Sequence, residues 1–159
     1  MTIVLWGWKL KRIDIENQSN FTLKQEFVAF LNSILEAILQ DLKLPLKPCE
    51  LILVDNTKIT QLNAEFRGIA TPTDVLSFPL NTKFSPILGS IVISVEYAQE
   101  ISWRLKHSIE EEIALLFIHG ILHLVGFDHE VDKGEQRIKE EEFISKFNLP
   151  KSLIVRTQL

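Results

Sequence analysis

Ser108-Ile-Glu-Glu-Glu-Ile-Ala-Leu-Leu-Phe-Ile-His119-Gly120-Ile-Leu-His123-Leu-Val-Gly126-Phe-Asp128-His129 is the stretch that decides the architecture. Ser108 followed by Glu111 makes a capping box, so a helix should start near Ile109. Ile113, Leu115, Leu116, Phe117, Ile118, Ile121, Leu122 and Leu124 then make that helix apolar nearly all round. A helix of this kind is buried at the centre of a domain. Two histidines inside it need an explanation, because an unpaired polar group in an apolar core costs about 1–3 kcal/mol. His119 and His123 are four apart, about 40° from each other on one face and one turn of helix apart. They must point into a cleft or be satisfied in some other way. His129 follows six residues on, past Gly126, which can end the helix and turn the chain back.

Neutral imidazole is the commonest protein ligand for a metal, and three leave a tetrahedral zinc with one open position for water. His119, His123 and His129 are therefore candidate ligands of a catalytic cation, with nickel, copper or iron as other occupants such a site accepts. Two plainer readings stand beside it. The histidines can be a chance cluster of satisfied side chains, or the site can be closed and structural. Closed sites want four protein ligands, usually including thiolates. The single cysteine, Cys49, is distant in sequence and falls at the edge of a strand, while Asp128 could close the site as a fourth ligand.

Outward from this helix the pattern alternates strands and helices. Ile13 and Ile15 flank Asp14 in a short first strand, and apolar residues from Thr22 to Leu42 recur at helical spacing. Glu50 to Asp55 reads as a strand. A helix from Thr57 to Phe66 buries Ile59, Leu62 and Phe66 and ends near Gly68. Asp74 to Phe78 and the β-branched run Gly89 to Val95 are further strands. A helix covers Val95 to Leu105, and Asp132 with Glu135 caps a last helix that runs to Phe147. With no linker, repeat or low-complexity stretch, residues 1–159 read as one α/β (α+β) domain, with residues 1–12 as an N-terminal extension of no assigned function.

Bulk properties agree with a globular chain. Its 159 residues are 46% hydrophobic and 24% charged, enough for a real core without disulfides. One cysteine fits a reducing compartment, the expected one being the cytoplasm. The apolar start with Trp6 and Trp8 is too short for a membrane span, and its positive charges follow the apolar run instead of preceding it. A net charge of −4 argues against a general polyanion coat but leaves room for a basic groove. The acidic runs Glu110–Glu112 and Glu140–Glu142 read as solvated helix faces. Neither a membrane nor DNA is an expected partner.

The spacing H-x-x-x-H-x-x-G-x-x-H is that of the long zinc-peptidase motif, in which glutamate follows the first histidine as general base. Here Gly120 holds that place. A metal can still lower the pKa of water to about 7, but a positioned proton acceptor, worth about 10²–10⁴-fold, is missing. The site reads as hydrolytic, and a standard peptidase does not fit.

Taken together, Leu62-Asn-Ala-Glu-Phe-Arg67-Gly68, Thr73-Asp74-Val-Leu-Ser77-Phe78-Pro79, Leu88-Gly89-Ser-Ile-Val-Ile93 and the histidine segment resemble the YbeY endoribonucleases, the rRNA maturation factors. The resemblance runs from Ile13 to the last helix. It implies a small mixed β-sheet packed with helices, related to metallopeptidase catalytic domains, with a central metal-binding helix. It also implies Zn²⁺ on His119, His123 and His129 and a functional Arg67. The implied activity is single-strand-specific cleavage of RNA, in maturation of the 16S rRNA 3′ end and ribosome quality control, with the ribosome as partner. Two departures stand out. Ser90 replaces the aspartate usual after Gly89, and the methionine of the last helix is missing, with Ile138 as its apolar stand-in.

Arg67 also has a case from chemistry, since a guanidinium can meet two oxygens of a phosphodiester as they gain charge. Arg67 and His119 are the candidate catalytic residues. Asp74 and Asp128 are assigned supporting or histidine-orienting roles. His107 is taken as a surface residue. Trp6, Trp8 and Trp103 could stack on bases, but core or anchor packing is favoured for them. The competing classes are another metallohydrolase, including an atypical peptidase, and an RNA-binding assembly factor whose metal is structural.

Overall fold

In the computed structural model, which describes residues 12–80 and 83–151, four strands form one mixed sheet. They are β1 (Ile13–Asn17), β2 (Cys49–Val54), β3 (Val75–Pro79) and β4 (Gly89–Ser94), in the order β1-β2-β4-β3. β1, β2 and β4 run parallel, with Ile15 beside Leu51 and Leu51 beside Ile91. β3 turns antiparallel on β4, placing Ser77 opposite Ile91. Five helices complete the chain: α1 (Gln25–Asp41), α2 (Asn56–Arg67), α3 (Val95–Leu105), α4 (Ile109–Leu124) and α5 (Glu135–Lys146). The expected mixture of a small mixed sheet and packed helices is what forms.

Alternation along the strands sorts the helices onto two faces. Leu51, Leu53, Ile91 and Ile93 join Leu31, Ile34, Leu35 and Ile38 of α1 and the apolar residues of α4 in the main core. Val54, Leu76 and Val92 point the other way and meet Ile59 of α2 in a smaller cluster. Ser90 shares the Val92 face by this alternation.

Helix α4 is the centre. Ser108 Oγ accepts from Glu111 N–H and Glu111 Oε1 accepts from Ser108 N–H, each at 3.0 Å, so both halves of the capping box form. Every residue from Glu112 to Leu122 is buried. Close approach to the sheet depends on Gly120, where a Cβ would sit 2.9 Å from two carbons of Ile91. The position that carries glutamate in the peptidase motif is thus filled by a helix–sheet contact.

Several expectations need correction. Phe66 is not buried, because the last turn of α2 overhangs a cleft. Trp103 is not a packing residue, being 72% exposed on α3. His107 is not at the surface. Its side chain is nearly buried and its Nε2 lies 2.6 Å from Glu112 Oε2. Neither glutamate run is wholly solvated, since Glu112 and Glu140 are buried. At the start of α5 the N-cap position falls to Gly134, in the left-handed region at φ +100°. Asp132 acts from two residues earlier, accepting from the N–H groups of Gly134 and Gln136. Ile138 is exposed, and the buried polar position of that helix one turn before Glu140 is Gln136. Cys49 opens β2 fully buried, and burial pushes its thiol pKa up to about 12, so it is no nucleophile. Trp6 and Trp8 lie outside the described residues.

Candidate metal centre and its cleft

His119 and His123 project from the last two turns of α4. The helix stops at Val125, and Gly126 adopts φ +107°, a left-handed conformation that favours glycine. Gly126 N–H donates to His123 O and Phe127 N–H to Leu122 O, folding the chain back over the helix end. That turn delivers His129. The ring centroids lie 4.7, 5.1 and 5.4 Å apart in pairs. One ligand atom from each of the three falls within 4.8 Å of the others. The expected convergence of three imidazoles forms.

Helix α5 holds this arrangement from behind. Glu140 Oε2 lies 3.1 Å from His119 Nδ1, which leaves Nε2 of that ring turned to Nε2 of His123 at 3.1 Å. Gln136 accepts from the backbone N–H of His129 and donates to His119 O, tying both segments together. Neither residue was assigned a role from sequence. The available signal was that Gln136, Glu140, Phe143 and Ile144 share one helical face, all of them buried.

The donor set fits a cation. Two Nε2 atoms facing each other at 3.1 Å are close to the roughly 3.3 Å spacing of two nitrogen ligands on a tetrahedral zinc. His129 Nδ1 is buried with no hydrogen-bond partner among the described residues. Burial, then the neighbouring His119 and His129, hold His123 down at a pKa of about 4. It is therefore the neutral, ligating form at pH 7. Carboxylate support of a ligand ring, as from Glu140, is the usual way a metal site fixes a tautomer.

The rings open on a cleft of about 570 Å³. The end of α2 supplies Phe66 and Arg67 to its wall, and β3 with the two residues before it supplies Thr73 to Phe78. Arg67 is exposed there and makes no hydrogen bond or ion pair among the described residues. Gly68, at φ +70°, ends α2 directly behind it. Asp74 also lines the cleft. Its Oδ1 accepts from Val75 N–H at 2.8 Å, and burial raises its pKa against the opposing pull of that bond and of His119. Among the described residues no hydrogen bond joins it to a ring; Glu140 is the carboxylate that meets His119. Asp128 lines the cleft as a turn residue, its Oδ1 accepting from Glu130 N–H. Ser90 stands on the far face of the sheet from α4, with no part in the cleft lining.

A sequence profile of the endoribonuclease YbeY family matches residues 13–148, spanning all nine elements and every residue of the cleft. The chain belongs to the endoribonuclease YbeY family. An endoribonuclease YbeY of Aliarcobacter butzleri is 54% identical over 149 residues, 91% of this chain and 98% of its own. That of Helicobacter pylori strain P12 is 51% identical over 146 residues, covering 92% and 99%. The YbeY of Wolinella succinogenes is 48% identical over 150 residues, covering 92% and 98%. Among solved structures, the solution structure of TM1509 from Thermotoga maritima superposes with a TM-score of 0.61 at 30% identity. It covers 85% of this chain and 88% of that one.

Proposed function

We propose that this chain is a metal-dependent endoribonuclease that cuts single-stranded RNA, with Zn²⁺ as its cation. Membership of the YbeY family makes it an RNA-cleaving hydrolase. The observation that carries the metal-dependent reading is the convergence of three imidazoles in the same cleft as a guanidinium that no described residue engages. His119, His123 and His129 would hold the cation, which when bound supplies Lewis acidity and makes water easier to deprotonate. Three neutral nitrogen donors with one position open suit zinc.

The chain's own residues supply the rest. Glu140 keeps His119 in one tautomer by accepting from Nδ1–H. Arg67 binds the scissile phosphate through two oxygens and offsets the charge that develops on them. Asp74, whose carboxyl holds its proton more tightly than an ordinary one, supports the site as a proton-holding group beside His119. Asp128 shapes the turn that presents His129. The substrate is the precursor at the 3′ end of 16S rRNA, and the setting is ribosome maturation and quality control in the cytoplasm, with the small subunit as partner. Residues 1–159 act as one domain in this reading. Among the described residues no helix is long and apolar enough to cross a membrane.

Highly purified protein, with and without chelator, is offered unstructured RNA and casein side by side. RNA cleavage that is lost on chelation and in His123→Ala, with casein intact, is the expected result. Cleavage that persists unchanged in His123→Ala overturns the reading. End-group analysis of the products separates the routes: a 2′,3′-cyclic phosphate marks attack by the RNA 2′-OH, and products with neither a 2′,3′-cyclic nor a 2′- or 3′-phosphate end exclude that route.

A further inference from the structure

Phe66 is 59% exposed although it stands in the cleft wall, one residue before Arg67. Its ring meets that of Phe78 edge to face, with centroids 5.1 Å apart and planes inclined by 68°. Phe78 lies on β3, partly buried against the cluster formed by Val54, Ile59, Leu76 and Val92. The pair therefore has an inner ring fixed by packing and an outer ring that the inner one steadies and solvent covers. A single exposed aromatic on a convex surface would call for no account. This one lies in a concavity, propped by a second ring, next to a guanidinium that no described residue engages, and in the same cleft as the three histidines.

An aromatic surface beside a free guanidinium is the pairing that holds one nucleotide of an unpaired strand. The ring stacks on the base, and the cation meets the phosphate. Every base has a π-face, so such a subsite tolerates sequence while demanding that the base be accessible. In a duplex both faces of a base are covered by its neighbours, and the ring would have nothing to meet.

We infer that Phe66, seated on Phe78, is the stacking subsite for an unpaired base flanking the phosphate held by Arg67, and that this stack gives the cleft its selectivity for single strands. The inference rests on the RNA-cleaving reading above and adds to it a residue that selects substrate. The three tryptophans were the aromatic candidates from sequence, yet the cleft presents a phenylalanine pair.

The test is a double-mutant cycle between protein and RNA. An unstructured oligonucleotide with one cleavage site carries a single abasic residue, moved position by position across both sides of the scissile bond. Wild-type protein and Phe66→Leu are compared, with Phe66→Trp as the conservative aromatic variant. Phe66 is exposed, so Phe66→Leu should fold, and its thermal midpoint checks this. Phe66→Leu should lower kcat/KM on the intact oligonucleotide about tenfold, and an abasic residue at one flanking position should cost the wild type a similar factor. Combined, they should cost little more than either alone, and Phe66→Trp should retain cleavage and the abasic penalty. Penalties that multiply at every position, or cleavage by Phe66→Leu equal to wild type, overturn the subsite alone. A metal-loaded wild type that leaves every RNA intact overturns the subsite together with the RNA-cleaving reading.

Discussion

Nδ1 of His119 lies 3.1 Å from Oε2 of Glu140, so a contact between α4 and α5 commits the other nitrogen of that ring to the cleft. Glu140→Gln keeps the side-chain volume but weakens the pull on the Nδ1 proton. Zinc affinity, measured by competition with a chromophoric chelator, should fall about 10–100-fold. An unchanged affinity would make the contact a packing feature only.

Arg67 sits at the cleft without a partner among the described residues, so its loss should touch function and spare the fold. Arg67→Ala should lower kcat/KM on single-stranded RNA about 10²–10³-fold while leaving the thermal midpoint where it was. Arg67→Lys should recover only part of the loss, because an ammonium cannot meet two phosphate oxygens in one plane. Equal loss of stability and activity would place Arg67 in the scaffold.

Metal-free protein should lose stability in acid through His123. Burial holds the folded pKa at about 4 against an ordinary 6.5, so the unfolded chain takes up the proton first. The stabilisation is complete above about pH 6.5 and is lost as pH falls towards 4. Thermal midpoints of chelator-treated protein across that window should drop, and His123→Gln should flatten the drop. A midpoint that is independent of pH in both proteins would contradict this.

Gly120→Ala introduces a Cβ that would lie 2.9 Å from two carbons of Ile91. Overpacking at a helix–sheet contact costs about 1–3 kcal/mol, read as a lowered urea midpoint. Gly120→Ala combined with Ile91→Val, which removes a methyl from the contact, should recover part of it. A single variant as stable as the parent would mean that α4 can shift freely on the sheet.

Much of this molecule could be read from α4 alone. Its apolar circumference required a central position, its capping box marked the start, and Gly126 marked the turn that brings His129 back. These signals are local, and local chemistry determines them. What stayed hidden depended on tertiary partners. Glu140 stands in a run of three glutamates, and only docking of α5 separates the buried one from its two solvated neighbours. His107 and Glu112 look like separate surface groups until the bend between α3 and α4 brings them to 2.6 Å. Phe66 fits the apolar spacing of α2 yet overhangs the cleft, because α2 ends there at Gly68. The carboxylate that meets His119 was hidden for the same reason: it comes from a helix later in the chain, while Asp74 and Asp128 line the cleft without a hydrogen bond to that ring among the described residues.

That dependence on α5 has a consequence for biogenesis. Translation runs from the N-terminus, so the sheet and α4 can be complete before Gln136 and Glu140 have left the ribosome. Until they dock, His119 lacks its anchor and the backbone at His129 lacks its tether. The three-histidine cluster of this proposed RNA-cleaving enzyme is thus braced only after α5 has been made and has docked.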